Sequence, residues 1–174
     1  VAFVIARKAA LEEAKANADS LVLDLHAQWK GLEGNGQWRF TPPTHCVLAL
    51  SRALDELTAE GGVRGRFARY TANCATLVNG MRALGFRTLL PDAVQAPVIV
   101  TFHMPADPAF VFDDFYARLA ASGFIIYPGK LTERPSFRVG CIGHVEPRDL
   151  QQFLGAVSEV VEEMGVRDLG RSLA

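Results

Sequence analysis

The chain lacks an excess of charge of either sign: 18 lysines and arginines stand against 19 aspartates and glutamates in 174 residues. A nucleic-acid binder needs a basic face to neutralise phosphates, so this balance sets that class aside and points to a small molecule or a protein as partner. Cysteines are few. Cys46, Cys74 and Cys141 lie far apart and are odd in number, which fits a reducing, cytoplasmic setting without a disulfide framework. None of His26, His45, His103 and His144 has a second histidine at metal-ligand spacing, no serine sits in a nucleophile elbow, and no glycine-rich phosphate loop follows a strand. Metalloenzyme, hydrolase and nucleotide-binding readings lose ground together. The apolar run over residues 1–6 is too short for a membrane span and has no basic flank of a signal peptide, so a buried strand is expected there. Termini normally lie in exposed polar segments, and a chain that starts on such a strand without Met is expected to be cut from a longer one.

What is present is a 49% hydrophobic sequence, enough for one sizeable core or two small ones. Residues 7–17 are rich in Ala, Leu, Glu and Lys and predict a helix. Residues 20–25 alternate Leu21, Leu23 and Leu25 with Ser20, Val22 and Asp24, closer to strand period. Gly31, Gly34, Asn35 and Gly36 predict a loop running into Trp38 to His45, where Pro42-Pro43 forbids a regular element. Beyond it, Val47, Leu50, Leu54 and Leu57 mark an amphipathic helix capped by Thr44 and ended by Gly61-Gly62. Phe67, Tyr70, Cys74, Leu77, Met81 and Leu84 mark a longer connecting helix with Gly85 as its stop. The remainder predicts an α+β unit: strand 97–103, helix 112–122, strands 124–127 and 136–140, then a helix with Pro147 in its first turn and Gly165 after its end. That order places helices on one face of a mixed sheet.

Three groups of residues could carry chemistry. Arg138, in Phe137-Arg138-Val139-Gly140, would point away from its apolar neighbours on a strand, and its planar five-donor fork suits a carboxylate or phosphonate. An arginine paired with a surface acid fits the same pattern. The segment Trp38 to His45 gathers aromatic, cationic and hydroxyl groups in a loop, with Thr41 able to offer its hydroxyl to a phosphate; a rigid turn with ordinary packing fits it equally. Tyr127-Pro128-Gly129-Lys130 sets a cation beside a conformationally free glycine, which serves a substrate loop or a plain turn.

Phe3-Val4-Ile5-Ala6-Arg7, the segment from Gly36 to His45, and Tyr127 to Thr132 leading into Phe137 to Gly143 occur in an order that resembles the 2-aminoethylphosphonate–pyruvate transaminase family. Leu23-Asp24-Leu25-His26 and Gly80 to Phe86 extend the resemblance over nearly the whole chain. The wider group is the class V aminotransferases of pyridoxal-phosphate (PLP) fold type I. The resemblance implies an α/β fold and a homodimer with PLP between a large domain and a C-terminal small domain. Residues 1–62 would be the tail of the large domain with a dimer-facing loop, 63–86 a connecting helix and 87–174 the small domain. Thr41 matches the threonine that reaches the cofactor phosphate of the neighbouring subunit, with Trp38 and Arg39 beside it. Arg138 matches the arginine that holds the anionic end of the substrates, 2-aminoethylphosphonate and pyruvate. The family's cofactor-anchoring lysine precedes the segment matching residues 1–7. None of Lys8, Lys15, Lys30 and Lys130 lies in its context, so the chain by itself is expected to be inactive. A serine–pyruvate or alanine–glyoxylate type member of the class, and a non-catalytic interaction domain, remain as alternatives.

Overall fold

The computed structural model describes residues 2–129 and 134–171. They divide into two units, Val1–Ala59 and Glu60–Ala174.

The first unit is helical. Helix α1 spans Lys8–Glu13, α2 spans Leu25–Asn35 and α3 spans Thr44–Ala59. None of its described residues is fully buried. Several expectations are corrected here. Residues 2–6 form no strand: Phe3, Val4 and Ile5 are exposed, since no strand of this unit offers them a ladder. Residues 21–23 form a turn instead of a strand, and the Asp24 carboxylate accepts the Ala27 N–H at 2.9 Å and so starts α2. Gly31 and Gly34 lie inside that helix rather than in a loop, and only Gly36, at φ 72°, ends it. Thr44 is the first helical residue of α3 rather than its cap; the Pro43 carbonyl accepts the Val47 N–H at 3.1 Å. Lys8 bonds Glu33 and lies 5.3 Å from the Trp29 ring centroid, and Lys30 pairs with Glu12, so α1 and α2 are joined by their polar rims.

The second unit has its own core. It runs α4 (Gly62–Leu84), a single 3-10 turn (Asp92–Val94), β1 (Ile99–His103), α5 (Phe112–Ala121), β2 (Tyr127–Pro128), β3 (Ser136–Gly140) and α6 (Pro147–Glu163). Gly85, at φ 109°, closes α4 as its position predicts. Glu146 and Asp149 form a reciprocal capping box that starts α6 beside Pro147. The sheet order is β1-β3-β2, and both pairings are antiparallel where a mixed sheet was expected. The expected strand over 124–127 is reduced to Tyr127–Pro128, since only these two residues reach β3.

One face of the sheet carries Val100, Phe102, Phe137 and Val139, each at most 5% exposed. They share a core with Leu77 and Met81 of α4, Phe115 and Leu119 of α5, and Phe153 and Val157 of α6. One face of α4 from Asn73 onward is therefore covered within the unit, whereas Val63 and Phe67 remain exposed. Phe137 is the hub, with the rings of Phe86, Phe102, Phe110, Phe112 and Phe115 at 5.5 to 6.3 Å. Each such buried ring contributes about 1.5–3 kcal/mol.

Candidate functional site

Strand alternation turns the neighbours of these core residues to the opposite, open face. There Tyr127, Arg138 and Thr101 form one cross-strand row, and Ser136 and His103 are directly opposed in the next. Residues 87–89 extend the sheet beyond β1: Leu89 N–H donates to Thr101 O, His103 N–H donates to Arg87 O, and Thr88 bridges Phe102. The second row is thereby prolonged to Arg87.

Arg138 is half-buried, and its Nε donates to the Pro128 carbonyl at 3.2 Å. Among the described residues no carboxylate pairs with it, and the Nε bond is its one side-chain hydrogen bond. Its place on the face opposite Phe137 and Val139 is the one strand alternation predicts. Beside β2 and β3 lies an open cleft of about 490 Å³ lined by Ile99, Phe124, Tyr127, Gly140 and Ile142 among others. Gly129 continues the β2 edge: its N–H donates to Ser136 O at 2.7 Å, and a Cβ there would collide with the Ser136 hydroxyl and carbonyl. Lys130 lies outside the described residues.

The segment that leaves β3 is fixed from α4. Asn73, wholly buried, donates to the carbonyls of Cys141 and Val145, and Arg69 donates to those of Gly143 and Val145 at 2.8 Å. Arg69 is itself held by Glu60, which Arg69 and then Arg66 keep far below the usual carboxylate range, at about 2. Burial lowers the His103 pKa, and the charges of Arg134 and Arg87 lower it further. Burial pushes the Cys141 thiol up to about 12, next to Cys74.

In the first unit, Trp38, Arg39 and Thr41 lie in the connection between α2 and α3. Trp38 is half exposed and borders a separate apolar cleft of about 480 Å³ with Phe3, Val4, Leu25 and Trp29. Arg39 donates to the Leu21 carbonyl at 3.0 Å and lies 4.0 Å from the Asp24 carboxylate, so it braces the turn before α2. Thr41 is exposed. These three residues belong to one unit and Arg138 to the other. Sequence patterns did not single out His103 and Ser136 as a pair, or the Pro128 carbonyl, because strand register between distant segments leaves no periodic signal. Among the described residues no group of three His, Cys, Asp or Glu side chains could hold a metal ion, and no helix is long and apolar enough to cross a membrane.

No family model matches the chain. It is 56% identical over 167 residues to the 2-aminoethylphosphonate–pyruvate transaminase of Pseudomonas fluorescens, covering 96% of this chain and 45% of that protein. The protein of the same name from Cupriavidus taiwanensis is 53% identical over 169 residues, with 97% and 45% covered. The chain thus spans a little under half the length of the curated relatives it matches. Among solved structures, pyridoxamine–pyruvate aminotransferase from Mesorhizobium loti superposes with a TM-score of 0.76 at 19% identity, over 95% of this chain and 43% of that one. Ureidoglycine–glyoxylate aminotransferase from Bacillus subtilis gives 0.73 at 20% identity, over 90% and 41%. The fold is that of the C-terminal part of such aminotransferases, and the sequence is similar throughout to the group that its motifs resemble.

Proposed function

We propose that the chain is the C-terminal portion of a PLP-dependent transaminase that moves the amino group of 2-aminoethylphosphonate to pyruvate, and that its part in the reaction is to hold the anionic end of each substrate. Arg138 carries this reading. Its guanidinium is anchored through Nε on the open sheet face, unpaired by any described acid, with a bidentate edge to offer. One arginine serves both half-reactions because a phosphonate and a carboxylate are both oxyanions matched to the same fork. Holding that end fixes the distance from the anion to the reacting carbon, and orientation of this kind supplies much of a catalytic advantage.

PLP, when bound, withdraws electrons from the substrate carbon that bears the nitrogen. The residues here fit a peripheral share of its site: Thr41 is exposed in a loop and offers a hydroxyl to a phosphate, with Trp38 beside it. We read residues 1–62 as the tail of the large domain, 63–86 as the connecting helix and 87–174 as the small domain of a cytoplasmic homodimer in which Thr41, Trp38 and Arg39 face the neighbouring subunit's cofactor.

The test is substrate profiling of the full-length protein. Alanine and phosphonoacetaldehyde should form from pyruvate and 2-aminoethylphosphonate, while the 174-residue chain alone should form neither. Preference for serine or glyoxylate over both proposed substrates would refute the assignment.

A further inference from the structure

Two polar atoms on the open face have no hydrogen-bond partner, and they belong to residues directly opposed across the sheet. Ser136 is 3% exposed and its Oγ is unbonded; Nδ1 of His103 is covered and unbonded as well. Folded proteins satisfy nearly all such groups, and each exception calls for a ligand, an ordered water or a functional reason. The surroundings are cationic. Arg87 continues the row beyond His103, and the charges of Arg134 and Arg87 reach the imidazole. Arg138 sits on the diagonal from His103, a spacing of about 7–8 Å that long side chains bridge.

We propose that Ser136 and His103 complete an oxyanion subsite with Arg138, donating to the phosphonate oxygen that the guanidinium fork leaves open. The inference rests on the reading of Arg138 as the holder of the substrate anion. Two parallel N–H bonds match a carboxylate fully, but a phosphonate keeps a third oxygen and a second negative charge. A serine hydroxyl and a neutral imidazole each supply one further donor. The subsite therefore distinguishes the two substrates that Arg138 alone would treat alike. Both atoms are covered beside the Pro128–Gly129 edge, where β2 is two residues long and Gly129 meets Ser136 through one hydrogen bond. The ligand reaches them when that one bond yields, with the Arg138–Pro128 bond one residue earlier staying in place.

The experiment is an NMR titration of the 174-residue chain with methylphosphonate and with acetate, following the Arg138 Nε–H and the His103 ring. Methylphosphonate should shift both residues, and acetate Arg138 alone. Because Ser136 Oγ is unbonded, Ser136→Ala removes no hydrogen bond from the unliganded fold, so the thermal midpoint should hold or rise. The same variant should weaken methylphosphonate about tenfold and leave acetate unchanged, and His103→Leu should give a similar loss. If Ser136→Ala leaves methylphosphonate affinity intact, or acetate moves His103 as far as methylphosphonate does, the subsite is disproved while the role of Arg138 stands. If neither probe moves Arg138, the underlying reading fails and the subsite with it.

Discussion

Nε of Arg138 donates to the carbonyl oxygen of Pro128 at 3.2 Å, and that bond decides which edge of the guanidinium is free. Gly129 keeps the carbonyl in place by lying against Ser136 where no Cβ fits. Gly129→Ala should lift the edge and release the arginine. On the proposed function, KM of the full-length protein for both proposed substrates should rise about tenfold with a smaller change in kcat, because binding common to ground and transition states is lost. Unchanged KM values would show that the tether does not orient the fork.

Arg138→Lys replaces a planar fork by a point charge. On the proposed function, we expect kcat/KM of the full-length protein to fall about a hundredfold for 2-aminoethylphosphonate and for pyruvate, or about 2.7 kcal/mol of transition-state stabilisation each. A loss confined to one substrate would mean that the other is held elsewhere.

Asn73 ties α4 to the segment leaving β3 through two carbonyls. Asn73→Ala leaves the Cys141 carbonyl without its donor, while Val145 keeps Arg69, at a cost of about 1–2 kcal/mol in urea unfolding of this chain. A change below about 0.5 kcal/mol would show that water replaces the amide without loss.

Glu60 gives a pH signature. Its carboxyl lies near 2 in the fold against an ordinary 4.5, so the unfolded chain binds the proton first. The stabilisation is complete above about 4.5 and is lost as pH falls toward 2. Melting curves of the native chain should therefore decline through that window more steeply than those of Glu60→Gln; parallel curves would remove Glu60 from the account.

Thiol labelling separates the cysteines. Cys46 is exposed, whereas Cys74 and Cys141 are buried, with the Cys141 thiol pushed to about 12. One thiol should react quickly with a disulfide reagent at neutral pH and two only on unfolding. Rapid reaction of all three would mean that the contact between α4 and β3 opens readily.

Sequence patterns read the second unit well and the first poorly, for a physical reason. Residues 136–140, 112–121 and 147–163 bury their apolar positions within their own unit, so periodicity and caps found their observed limits. Phe3 to Ile5 and Leu21 to Leu23 are as apolar as strands, yet no neighbouring strand receives them and they stay exposed. A strand pattern records an appetite for pairing; it does not supply the partner. Gly31 and Gly34 suggested a loop, but the Asp24 cap and the run from Leu25 to Leu32 carry the helix through them. At the candidate site, alternation around Phe137 and Val139 already turned Arg138 outward. The Pro128 tether and the opposition of His103 to Ser136 depend on which residue meets which across the sheet, and that is fixed only when the strands assemble.

The phenyl cluster around Phe137 bears on errors in making the protein. A one-residue slip of β3 would drive the Arg138 charge among five aromatic rings and turn Phe137 out to water, so a misaligned strand cannot share the native core. An insertion or deletion within residues 136–140 should accordingly appear as aggregated or degraded chain rather than as well-folded protein with altered chemistry. The ring cluster thus ties the register that seats Phe137 to the one that turns Arg138 outward, so neither can be lost without the other.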